Sequence, residues 1–106
     1  MVTRNTGEEI SRIALQFAES LKDKLKLHSV YLYGSYAKGS HRESSDIDIA
    51  VVAEGFSGDL VEDIFMLMKA RRTVDHRIEP RPFSVEEFNE QDPLAREVLR
   101  TGLRIL

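Results

Sequence analysis

Two carboxylates one residue apart, Asp46 and Asp48, stand at the head of an apolar run formed by Ile47, Ile49, Ala50, Val51 and Val52. Successive side chains of a strand alternate faces. The two acids therefore project together, about 7 Å apart, while Ile47, Ile49 and Val51 go to the opposite side. Same-side carboxylates at that spacing suit a hard divalent cation, which prefers oxygen ligands. Upstream, Gly34-Ser35 ends a second apolar run, Val30-Tyr31-Leu32. A glycine there lets backbone come close to a ligand, and the N–H groups opening a following short helix attract anions. The pattern brings phosphate and metal to one place. His41 and Arg42, in the polar loop 40–44, are further candidates for phosphate contact, although loop residues of this kind more often only solvate the chain.

These residues need a sheet to hold them. Ile10, Ile13, Ala14, Phe17, Leu21 and Leu25 recur at helical spacing and predict an amphipathic helix over about 8–27. A strand over 28–33 leads to Gly34, and a short helix over 35–38 follows. After the Asp46/Asp48 strand, Glu54-Gly55-Phe56-Ser57-Gly58 is a break. Asp59 is then expected to cap a helix that runs from Leu60 to about Arg72. A third strand is expected over 73–79, closed by Pro80 and Pro82, which cannot donate ladder hydrogen bonds. On it Asp75, Arg77 and Glu79 would share one face, with either Asp75 or Glu79 as a third acid. Ser84 and Glu87 have capping-box spacing and predict a short helix carrying Val85 and Phe88. Asp92-Pro93 opens the last helix, which Gly102 stops. Helices packed on one sheet make an α+β fold, an α/β sandwich.

Composition narrows the function. The 106 residues are expected to form one domain, 1–106, too small for a catalytic unit plus a separate acceptor-binding unit. A net charge of −3 disfavours general nucleic-acid binding, which needs a basic surface. With no cysteine there is no disulfide or thiolate zinc site. His28 and His76 make no zinc motif either. No membrane-spanning segment or secretory leader is visible, so the expected setting is soluble and cytoplasmic.

The order Gly-Ser, three residues, Gly, then Ser-Asp-x-Asp in an apolar strand resembles the minimal nucleotidyltransferase (MNT) family of the DNA polymerase β-like superfamily. The resemblance extends to the 74–80 stretch and the tail from Asp92. It implies a nucleotidyltransferase fold with a small mixed sheet, and transfer of AMP from ATP with two Mg²⁺ ions. Carried over residue by residue, Asp46 and Asp48 hold metal, and Gly34, Ser35 and Lys38 meet the triphosphate. In the palm strand of polymerase β-like enzymes the third acid lies two residues before an arginine and five before a proline. That favours Asp75, as metal ligand or base, over Glu79. The resemblance also implies a small helical HEPN-type toxin as partner and protein acceptor. Alternatives of the same fold are a catalytically silent antitoxin, or a small-molecule nucleotidyltransferase acting as a homodimer.

Overall fold

An amphipathic helix needs a flat apolar surface, and a sheet supplies it. In the computed structural model, which describes residues 7–39 and 45–106, α1 (Gly7–Ser20) buries Ile10, Ala14, Phe17 and Ala18 completely. They pack with Val30 and Leu32 of β1 (Lys26–Tyr33) and with Ile47, Ile49 and Val51 of β2 (Ile47–Glu54). The one-turn helix α2 (Ser35–Lys38) is anchored in this core by Tyr36, and α3 (Leu60–Ala70) by Leu67. On the other face Ala50 and Val52 form a second, smaller core. It includes Phe83 of β3 (Ile78–Phe83) and Ala95 and Val98 of α4 (Pro93–Thr101). A strand covered on both faces reads as a continuous apolar run. From Ile47 to Ala53 every residue is buried except Asp48.

The sheet order is β3-β2-β1-β4, with β4 the short strand Leu103–Arg104. β1 runs antiparallel to β2 and β4, whereas β2 and β3 are parallel, joined by a crossover through α3. The sheet is therefore mixed, and the class is α+β. Among the described residues no helix is long and apolar enough to cross a membrane.

Three expectations need correction. The first helix stops at Ser20, where the hydroxyl donates to the Phe17 carbonyl; a turn then buries Leu21 and Leu25, and β1 begins at Lys26. The third strand is Ile78–Phe83 and not 73–79. A 3₁₀ turn over Arg71–Thr73 extends α3, and the Asp75 side chain ties up the next turn by accepting from the Arg77 backbone. Pro80 and Pro82 lie inside this strand, which tolerates them because it is an edge strand. The capping box forms without a helix. Ser84 N donates to Glu87 Oε1 and Glu87 N to Ser84 Oγ, but Phe88 is drawn onto the rings of Tyr31 and Phe83, each 5.2 Å away. The last helix does end at Thr101 before Gly102, as expected, and the tail then adds β4. Gly102 permits this by close approach: an added Cβ would press against the carbonyls of Val98 and Leu32.

Asp63 shows how loops are secured at the far end of β2. Buried on α3, its carboxylate accepts from Ser57 N (2.8 Å), Ser57 Oγ (2.9 Å) and Gly58 N (3.2 Å). Charged acceptors of this kind are costly to remove because the donors are stranded. Asp63→Ala is expected to lower unfolding free energy by about 2 kcal/mol, read by urea denaturation. An unchanged midpoint would show that the loop needs no such anchor.

Candidate active site

Register decides which side chains meet. Tyr33 of β1 pairs with Asp48 of β2, and Asp48 pairs with Glu79 of β3. The three stand abreast on one face, on strands spaced about 4.8 Å apart. That face is opposite to Ile47 and Ile49 and is the one α4 covers. The next row on the same face holds Tyr31, Ala50 and Arg81. Asp46 precedes β2 by one residue and is exposed.

Gly34 brings the turn to the acid. Its φ of 77° and ψ of −149° suit glycine. A Cβ there would collide with Oδ2 of Asp48. The carboxylate thus lies directly against the backbone that opens α2, where Ser35 is the first residue. Gly39, at φ 79°, closes that single turn by donating its N–H to the Ser35 carbonyl. Lys38 leans toward α4, with Nζ 3.4 Å from Glu97 Oε2, both side chains about half exposed.

The electrostatics are one-sided. Burial, and then the charges of Asp46, Glu79 and Glu97, push the Asp48 carboxyl up to about 6. The Tyr33 phenol is pushed up to about 12, by burial first and then chiefly by Asp48; Arg81 opposes the shift. Among the described residues every group that shifts the Asp48 carboxyl is an acid. Such a concentration of carboxylates fits a divalent ion. Among the described residues no three His, Cys, Asp or Glu side chains converge closely enough to hold a metal unaided. Magnesium commonly takes one or two carboxylates and completes its shell with phosphate oxygens and water.

Asp75 is placed elsewhere than expected. It lies in the turn before β3, where Oδ1 accepts from Arg77 N (2.8 Å) and Nε (3.1 Å) and Oδ2 from Nη2 (2.9 Å). These bonds to Arg77 hold its carboxyl below the usual range. With Asp75 off the strand, the face once assigned to Asp75, Arg77 and Glu79 belongs to Glu79, Arg81 and Phe83. Correct strand bounds would have flagged Arg81, two residues past Glu79. Glu97 carries no comparable signal, since only the packing of α4 brings it near Asp48. His41 and Arg42 lie outside the described residues.

Two outcomes follow. Gly34→Ala combines a left-handed φ with a clash, so a stability loss above about 1 kcal/mol is expected by chemical denaturation; a neutral substitution would contradict the contact. For Asp48 the sign runs opposite to that of a salt-bridged acid. Its value in the folded chain lies above the 3.8 of an ordinary Asp, so ionisation costs stability as pH rises through about 6. The carboxyl is only half-buried, so solvent screening reduces the full effect of the shift, and in metal-free protein Asp48→Asn should gain on the order of 1 kcal/mol above pH 7. That gain should shrink as pH falls from about 6 to about 4 and be absent below. Thermal melts in chelator at both ends of the range test this, and a pH-independent difference would refute it.

The model of the family described as polymerase beta nucleotidyltransferase matches residues 16–106. A Methanocaldococcus jannaschii protein, MJ1379, named as a candidate protein adenylyltransferase, is 50% identical over 46 residues, 43% of this chain and 46% of that protein. The chain thus spans about half the length of the curated relatives it matches. A toxin–antitoxin crystal structure with AMP-PNP superposes with a TM-score of 0.64 at 26% identity, covering 88% of this chain and 72% of that one. A candidate nucleotidyltransferase from Sulfolobus solfataricus shares the fold, with a TM-score of 0.64 at 22% identity over 98% of this chain and 89% of that one. The row of acids beside a glycine-serine turn and the match over most of its length lead to one conclusion: the chain belongs to the polymerase beta nucleotidyltransferase family.

Proposed function

We propose that the protein transfers AMP from magnesium ATP to a hydroxyl on a protein acceptor, in the cytoplasm, as the antitoxin partner of a small helical HEPN-type toxin. The observation that carries the chemistry is the alignment of Asp48 and Glu79 beside the Gly34-Ser35 turn. The choice of acceptor leans on the likeness to a protein named for adenylyl transfer and to a toxin–antitoxin complex with an ATP analogue.

In this reading the Ser35 hydroxyl and the turn amides take triphosphate oxygens, and Gly34 leaves room for them. Lys38 exchanges Glu97 for phosphate, as a point charge. Asp46 and Asp48, with Glu79 alongside, would hold the two Mg²⁺ ions, which supply positive charge to the attacking and leaving oxygens. Glu79 orients the acceptor hydroxyl and takes its proton. The hydroxyl oxygen bonds to the α-phosphorus, the bond to the bridging oxygen breaks, and pyrophosphate leaves. Asp75 is a positioning residue: through Arg77 it sets where β3 begins, and with it the row in which Glu79 stands.

Labelled ATP, Mg²⁺ and a cognate toxin test the reading. Label should appear on the toxin, and Glu79→Gln should reduce transfer by roughly a hundredfold or more. Asp75→Asn should keep near-normal transfer per folded molecule while losing about 1 kcal/mol of stability. The reverse order of damage would return the third-acid role to Asp75. Full neutralisation of the toxin by Asp48→Asn without any label transfer would instead favour an antitoxin acting by contact alone.

A further inference from the structure

α3 buries Asp63 and Leu67 against the fold, yet its outer side is also apolar: Phe65 is 63% and Val61 76% exposed. Glu62, Phe65, Met66 and Lys69 line a groove of about 620 Å³ that Ser20 and Lys24, at and beyond the end of α1, line from the other element. Glu62 and Lys69 lie on the same stripe of the helix. They are seven residues apart, two turns, or about 10.5 Å along the axis. Among the described residues neither forms an ion pair.

The pattern is antisymmetric about its centre. A point midway between Glu62 and Lys69 falls between Phe65 and Met66, with an acid one turn to one side and a base one turn to the other. A second copy of the stripe, laid antiparallel across a twofold axis at that point, brings Glu62 of each copy against Lys69 of the other. The same operation sets Phe65 against Phe65 and Met66 against Met66. Isologous interfaces require such self-complementarity. A partner of another kind would have no need of charges balanced about the apolar centre.

We infer that α3 is a self-association surface, through which two copies of this chain pair antiparallel around Phe65. One helix pair makes a small interface, so the dimer is weak and concentration-dependent. The exposed apolar side chains supply the attraction and the two symmetry-related ion pairs set the register. This inference stands apart from the transfer reaction, since none of its residues belongs to the site.

Sedimentation equilibrium of the full chain tests it. Wild type should show a monomer–dimer equilibrium. Glu62→Lys alone and Lys69→Glu alone each turn two attractive pairs into two repulsive ones, and each should weaken the dimer about tenfold. The double variant Glu62→Lys/Lys69→Glu restores both pairs with their order exchanged and should return the dissociation constant to within about twofold of wild type. All three variants alter exposed side chains, and melting curves confirm that they fold. Monomeric behaviour up to roughly 1 mM would overturn the inference. So would a dimer indifferent to the single reversals, or a double variant weaker than either single one. Shielding of Phe65 only when a different protein binds would assign the surface to that protein instead.

Discussion

The structure turns on the contact between the Asp48 carboxylate and the Gly34 backbone. An acid set in a strand buried on both sides has little space of its own, and the missing side chain at Gly34 provides it. The same absence permits the left-handed φ with which the chain leaves β1 and enters α2. One residue therefore joins the loop that can grip phosphate to the strand that can hold metal. Any larger residue would separate them.

Keeping an acid in that place requires a frame that does not yield. β2 has one core on each face, so a slip of one residue would drive Ile47, Ile49 and Val51 to the wrong side. Its neighbours are pinned at their ends. Asp75 and Arg77 define the start of β3, where the Arg77 carbonyl accepts from Ile47 N and the Ile78 carbonyl from Arg71. Asp63 gathers the loop that leaves β2. These polar clamps lie outside the row of acids, and through the register they decide that Glu79 stands beside Asp48.

The arrangement is electrostatically costly. Burial and the charges of Asp46, Glu79 and Glu97 all oppose ionisation of Asp48, and a cation bound there, as proposed, would recover the stability so forgone. α3 shows a different kind of incompleteness. It fills the parallel crossover between β2 and β3 on one side and leaves Phe65 and Val61 in water on the other, a cost that association relieves.

Much of this was legible in the residue order. The Asp46/Asp48 alternation, the glycine-serine turn, the caps at Asp59 and Asp92 and the buried character of β2 all rest on local periodicity and turn chemistry, which act over a few residues. The family itself was readable from those signals. Which acid stands beside Asp48 in the sheet was not, because Asp75-x-Arg77 and Glu79-x-Arg81 are equally good strand patterns, and only the turn that Asp75 makes with Arg77 removes the first from the sheet. Likewise the spacing of Ser84 and Glu87 specified a capping box, but the stacking of Phe88 on Tyr31 and Phe83 decided that no helix would follow. Glu97, β4 and the row Tyr33–Asp48–Glu79 had no sequence signal. They arise from pairing between segments far apart in the chain, and local propensity does not encode which segments will be neighbours.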